Sequence, residues 1–227
     1  MRPRVATLLA GIAAVLAAVS PAASASPGAG RDVRPVAAPG AEGGQAVYAG
    51  GTRCVLGFNV RQGGTYYFLT AGGCAQVGMA VYADPGLTVQ LGTVVSATTG
   101  GVALVRYVEP SVERPGSVYL YPGSQDITTA GRPVVGQRVC RSGPTTGLRC
   151  GSVTAVNVTV NFPDGTVTGV AQTNICTEPG DGPGAPYFSG STAVGLGIGG
   201  SGNCTTGGTS YFLPISPVLS AFGVSVY

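Results

Sequence analysis

Apolar, β-branched and aromatic residues fall along this chain in short runs punctuated by Gly, Pro, Asn and Asp. The runs cover residues 65–71, 88–97, 102–108, 133–141, 152–162, 166–175, 192–198 and 209–215. Such runs predict strands, because branched and aromatic side chains suit a pleated, half-buried surface and the punctuating residues turn the chain. Asp164-Gly165 lies between two of them and predicts a tight hairpin. With 39 glycines separating strands this short, the class is all-β, a sandwich or barrel. One helix is expected near the C-terminus: Ser216 caps it, Pro217 suits its first turn, Val218, Leu219 and Phe222 share a face, and Gly223 stops it. It is expected to dock on the second half of the molecule.

The start of the chain has a different pattern. Arg2 and Arg4 precede an apolar run over residues 5–19, and Ala23-Ser24-Ala25 offers the small residues that signal peptidase cuts after. Residues 1–25 therefore read as a secretory signal peptide, the run being too short to span a bilayer. Residues 26–40, rich in Pro, Gly, Ala and Arg, read as a linker or short propeptide. The expected product is secreted, with no membrane association once the signal is cut.

Charge alters the picture less than its total suggests. The formal net charge is +3, but four arginines and one aspartate precede residue 41, leaving eight arginines against eight acidic residues beyond it. A neutral domain has no basic patch to neutralise phosphates, so nucleic acid is excluded as a partner. Six cysteines in a secreted chain predict three disulfides, in any of fifteen pairings, and neither histidine nor closely spaced thiols are present to hold a metal. The string Gly195-Leu196-Gly197-Ile198-Gly199-Gly200 fits a dinucleotide fingerprint, yet its surroundings are glycine-rich β and lack the required helix; no cofactor is expected.

Two strings carry candidate chemistry: Thr70-Ala71-Gly72-Gly73-Cys74 and Gly180-Asp181-Gly182-Pro183-Gly184-Ala185-Pro186. They resemble TAGHC and GDSGGP, the catalytic segments of the chymotrypsin-like serine proteases, with glycine at the histidine and at the serine. Tyr66-Tyr67-Phe68-Leu69, Thr173-Asn174-Ile175-Cys176-Thr177-Glu178-Pro179, residues 54–60, 125–128 and 199–204, and Phe222-Gly223-Val224-Ser225-Val226-Tyr227 resemble the streptogrisins. Val139-Cys140-Arg141-Ser142-Gly143 with Cys150-Gly151 resembles α-lytic protease. The resemblance implies two six-stranded antiparallel β-barrels, residues 41–122 and 123–227, with a short C-terminal helix and a cleft between the barrels. It also implies the pairings Cys54 with Cys74, Cys140 with Cys150 and Cys176 with Cys204.

Carried over residue by residue, the resemblance implies a degenerate triad. Gly73 stands at the imidazole, Gly101 at the aspartate and Gly182 at the serine, while Pro183 replaces a glycine and Ala185 adds a residue. Gly180, Asp181 and Gly182 form the former oxyanion loop, and Arg141 matches the arginine that pairs with Asp181. The former specificity pocket falls to Thr177, Glu178, Pro179, Ile198, Gly199 and Gly200, with Glu178 expected as a solvated rim residue. Ile198 stands where the family has a serine that meets the buried aspartate; an apolar group suits a site with no carboxylate to solvate.

Three functions are then open. The first is a monomeric pseudoprotease holding a peptide or protein, such as a protease inhibitor, in its cleft, since strand-like main-chain recognition survives loss of a triad. The second is hydrolysis by another constellation using Ser189, Ser191, Ser201 or Asp181, with only carboxylates and tyrosines as bases. The third is an extracellular structural protein with no cleft ligand.

Overall fold

A computed structural model describes residues 41–98, 101–163 and 165–227. The signal peptide and linker expected over residues 1–40, and Asp164 of the expected hairpin, lie outside the described residues. Among the described residues, sixteen strands and one helix follow in chain order: β1 Ala46–Ala49, β2 Thr52–Val55, β3 Asn59–Gln62, β4 Thr65–Ala71, β5 Ala80–Tyr82, β6 Gln90–Ala97, β7 Val102–Tyr107, β8 Ser117–Tyr119, β9 Ser124–Asp126, β10 Thr129–Ala130, β11 Arg138–Gly143, β12 Gly147–Phe162, β13 Gly165–Thr173, β14 Pro186–Ser189, β15 Thr192–Asn203, β16 Gly207–Pro214 and α1 Ile215–Phe222.

The first sheet has the order β2-β1-β5-β6-β7-β4-β3, so its two end strands are joined by only Leu56-Gly57-Phe58. Those three residues bond to both flanks: Leu56 N–H donates to Gln45 O at 2.9 Å, Gly57 N–H to Leu69 O at 2.7 Å, and Leu69 N–H to Phe58 O at 2.9 Å. Thr52 to Gln62 is thus one interrupted strand, and the sheet closes into a barrel of six. In the second sheet, β10-β15-β14-β11-β12-β13-β16, an additional β15–β16 pairing closes the ring and again gives six strands. The two-residue β10 lies outside that ring and pairs parallel to β15, an exception to the antiparallel rule. The border expected at 122/123 falls in the turn of the β8–β9 hairpin, which pairs with neither barrel sheet.

Each barrel has its own core. Val47, Leu56, Phe68, Val81, Leu91 and Val105 fill the first. Val139, Val153, Val194 and Phe212 fill the second, where Tyr187 stacks on Phe212 at 4.6 Å. A third cluster joins the two barrels: Phe58, Leu69, Val102 and Leu104 meet Phe188, Leu196, Ile215 and Leu219. Gly57 is needed there, since a Cβ at that position would collide with Leu196 across the seam.

The helix differs from expectation at its start and in its packing. Pro214 occupies the N-cap and no side chain caps the helix; Ser216 lies inside the first turn, and its hydroxyl donates to Gly131 O at 3.3 Å. Proline suits this place because its fixed φ leads into the helix and it has no N–H to leave unpaired. Gly223 ends the helix in the left-handed region, φ 64°. Val218, Leu219 and Ile215 are buried against residues of both barrels, not the second alone. Beyond α1 the tail pairs with β3, Arg61 and Ser225 exchanging backbone bonds of 2.8 and 2.9 Å, and Tyr227 Oη donates to Arg114 O at 2.6 Å.

All six cysteines are paired, Cys54–Cys74, Cys140–Cys150 and Cys176–Cys204, closing loops of 20, 10 and 28 residues. On the loop-entropy scale each contributes on the order of 2–4 kcal/mol.

Candidate functional site

The residues around the three glycines meet at the seam between the barrels. β4 ends beside the start of β7, Ala71 opposite Val102, and the next residue continues the contact: Gly72 N–H donates to Gly101 O at 2.7 Å. This sets Gly72 against Gly101, with Gly73 following it in the turn. The Cys54–Cys74 disulfide ties the same turn to β2. The loop after Asp181 then crosses both, with Val55 N–H donating to Pro183 O at 3.3 Å and Cys74 Sγ 4.0 Å from that oxygen.

The three positions differ in what they would accept. A Cβ at Gly73 would meet nothing within 4 Å, and the position is exposed. Gly101 is also open but has φ +84°, which L side chains seldom adopt. Gly182 is restricted twice, by φ +64° and by Val55, whose Cγ2 would stand 2.9 Å from a Cβ. An αL backbone costs an ordinary residue about 1–2 kcal/mol.

Beneath this loop, Arg141 and Asp181 are 1% and 2% exposed and form an ion pair of 3.0 Å. Asp181 Oδ2 also accepts from Thr146 Oγ1 at 2.8 Å and Glu178 N–H at 2.9 Å, and Oδ1 from the Thr146 N–H at 2.9 Å and the Thr145 N–H at 3.3 Å. Burial alone would raise the pKa of this carboxyl; the Glu178 N–H, the Arg141 guanidinium and the Thr146 donors outweigh it and hold the group below its ordinary value. Asp181 is thus a fully engaged carboxylate. Arg141 Nη2 also reaches Thr146 Oγ1 at 2.7 Å and Cys176 O at 3.2 Å, while its Nε and Nη1 are buried without an acceptor among the described residues.

A cavity of about 220 Å³ opens beside the pair. Of the residues assigned to a specificity pocket, Thr177, Glu178, Pro179 and Gly199 line it; Ile198 and Gly200 do not. Gly197 and Gly199 of β15 both line the cavity across an irregularity in the ladder, where Gly197 pairs with Phe212 and Gly199 with the adjacent Tyr211. Tyr187 and Ala185 complete the wall, and Phe162 of the β12–β13 hairpin brings its ring to 2.9 Å from where a Cβ on Gly199 would stand. Glu178 is half-buried and not a solvated rim residue: its Oε1 accepts the Cys204 N–H at 2.7 Å, pinning the start of the loop to the Cys176–Cys204 disulfide. Residue type alone contains no signal for Tyr187 or Phe162, which reach the site through strand pairing and hairpin length.

The loop also carries donors. Asp181 N–H is turned inward to Glu178 O at 3.0 Å, whereas the N–H groups of Gly180 and Gly182 on either side meet no acceptor among the described residues. Arg53 on β2 is exposed, places Nη1 3.2 Å from the Cβ position of Gly180, and makes no ion pair among the described residues.

No family profile matches the chain as a whole or in part. Pairwise similarity is decisive: "Serine protease 2" of Streptomyces fradiae is 53% identical over 174 residues, which make up 74% of this chain and 99% of that protein. The chain belongs to the streptogrisin-type, chymotrypsin-like serine protease family. "Streptogrisin-A" of Streptomyces griseus is 50% identical over 186 residues, 81% of this chain; the match spans only 60% of that relative's length. Among solved structures, "Alpha-lytic protease homolog N4" superposes with a TM-score of 0.75 at 47% identity, covering 83% of this chain and all of that one. Within this family the present chain has no histidine at any of its 227 positions.

Proposed function

We propose that this chain is a secreted, catalytically inactive member of its family that holds a peptide or protein, such as a protease inhibitor, in the cleft between its barrels. The observation that carries the proposal is the absence of histidine. A serine nucleophile needs an adjacent base to take its proton, and the family's base is an imidazole held by a carboxylate. Glycine at 73, 101 and 182 removes base, orienter and nucleophile together. The positive φ values at Gly101 and Gly182 support the same reading, because they suit glycine and oppose Asp and Ser.

Binding is supported by the edge of β15. Its pairing with β14 ends at Leu196, while its pairing with β16 runs on to Asn203. From Ile198 onward one edge of the strand therefore has no strand partner among the described residues, and an extended peptide can add there through main-chain bonds. Ser191 as an alternative nucleophile has little support, since its hydroxyl accepts from Gln125 Nε2 at 3.4 Å and no carboxylate bonds to it among the described residues. Three disulfides fit export to an oxidising compartment, and the neutral domain is proposed to work as a monomer.

The test is treatment of the purified protein with a serine-directed fluorophosphonate, alongside a peptide hydrolysis assay. Neither labelling nor turnover above background is expected. Labelling abolished by a single serine substitution would overturn the inactive reading.

A further inference from the structure

We infer that a cavity on the first barrel, at the end of β4 away from the seam, binds a carboxylate on the free edge of the Arg114 guanidinium. The cavity, of about 310 Å³, lies among Thr65, Tyr66, Arg106, Tyr107, Glu109 and Arg114. β4 leads from it at Thr65 to the seam at Ala71, a span of about 20 Å, so an occupant leaves the cleft open.

Arg114 is held on three sides. Its Nη1 donates to Pro110 O at 3.2 Å and Val112 O at 2.9 Å, and its guanidinium carbon stands 4.5 Å from the Tyr66 ring centre and 5.7 Å from that of Tyr107. Two carbonyls fix one end of the group and two rings fix its plane. What remains is the opposite edge, Nε and Nη2, whose parallel N–H groups match the two oxygens of a carboxylate. Neither atom has an acceptor among the described residues. Nε is also buried, so bulk water does not supply the missing bond, and an unpaired buried donor costs free energy that an arriving oxygen recovers. Nη2 is not so covered and gives the ligand its way in.

Charge around the cavity favours an anion. Arg106 lines it, is exposed, and belongs to no ion pair among the described residues. Glu109 turns its Oε1 to the Ser111 N–H at 3.3 Å and hydroxyl at 2.9 Å, and pairs with neither arginine. Tyr107 stays neutral: burial pushes its phenol well above the usual value, and Oη donates to Asn59 Oδ1 at 2.7 Å. Two cations thus face a single carboxylate that is turned aside. The volume is at the small end for a ligand site and suits one side chain or one small acid, not a length of polypeptide. The ligand is therefore a short-reach carboxylate, either an Asp or Glu side chain of a protein segment or a free small carboxylic acid.

The experiment titrates the disulfide-intact protein with two matched pairs, N-acetyl-Glu-N-methylamide against its Gln analogue and glutarate against glutaramide. The arginine Nε–H signals are followed by ¹H–¹⁵N NMR. Each acid is expected to shift Arg114 Nε–H saturably, to bind at least about tenfold tighter than its amide, and to weaken with added salt. The tighter of the two acids tells a protein side chain from a free acid as the source. Arg106→Ala, at an exposed position, is expected to weaken acid binding with the fold intact. Arg114→Lys, which keeps the charge and loses the paired N–H edge, is expected to abolish the preference for acid over amide. Equal binding of acid and amide, shifts confined to arginines elsewhere, or acid binding unchanged in both variants would each overturn the inference, and none of these results bears on the cleft.

Discussion

Gly182 lies against Val55 so closely that a Cβ at 182 would stand 2.9 Å from Val55 Cγ2. Loss of a side chain here is therefore built into the backbone and its packing, not only into the residue type. Pro183 adds to this, since it has no N–H and restricts the residue before it.

The first prediction follows: Gly73→His, Gly101→Asp and Gly182→Ser introduced together will not restore peptide hydrolysis. The serine would start from an unfavourable backbone, and misplacement by about 1 Å can cost a hundredfold in rate. Gly182→Ser alone should lower stability by about 1–2 kcal/mol in urea unfolding. Robust hydrolysis by the plain triple variant would show that the loop had kept a productive geometry.

The buried pair predicts a large and asymmetric cost. Arg141→Met removes one charge and leaves Asp181 uncompensated at 2% exposure, which should destabilise the protein by about 3–5 kcal/mol. Replacing both residues with apolar ones should cost less than the single change. A double-mutant cycle in denaturant reads the coupling.

Acid should act through the same carboxylate. Asp181 has its pKa depressed in the folded state, so the stability it contributes is present above the ordinary aspartate value of about 3.9 and is lost as pH falls through the depressed one. Unfolding free energy should decline below about pH 4. Asp181→Asn should flatten that decline while lowering stability at neutral pH, and a profile unchanged by the substitution would assign the acid sensitivity elsewhere.

Much of this molecule was legible in the sequence because its longer strands are self-contained signals. Residues 65–71 form β4 as expected, and the runs beginning at 102, 152, 166, 192 and 209 each correspond to a strand. The strands without a clear signal, β1, β2, β3, β5, β8, β9, β10 and β14, are two to four residues long, too short for alternation to show, although β1–β2, β3–β4, β8–β9 and β14–β15 are local hairpins. Residues 133–137 read as strand but precede β11, where Val153 N–H donates to Gln137 O outside the ladder. The seam around Gly73 was legible as a motif. Which side of β15 faces the cavity was not, because four of the six residues from 195 to 200 are glycine and show no alternation between apolar and polar side chains. Arg53 had no signal at all, since the loop it stands beside is more than a hundred residues away.

A fourth prediction concerns the C-terminal helix. Leu219→Ala removes a side chain packed against both barrels and should cost about 2–5 kcal/mol. Both barrels should unfold in one transition at lower denaturant. Two separate transitions in the variant would show that the shared cluster couples the halves less than its packing implies.

The tail that follows this helix has a consequence for the order of events in biosynthesis. The first barrel contributes Phe58, Val60, Leu69, Val102 and Leu104 to a cluster finished only by Ile215, Val218, Leu219 and Val224, and β3 gains its outer partner only when Ser225 arrives. The ribosome makes those residues more than a hundred positions after the strands they cover. The N-terminal half therefore cannot reach its final packing until those residues have been made.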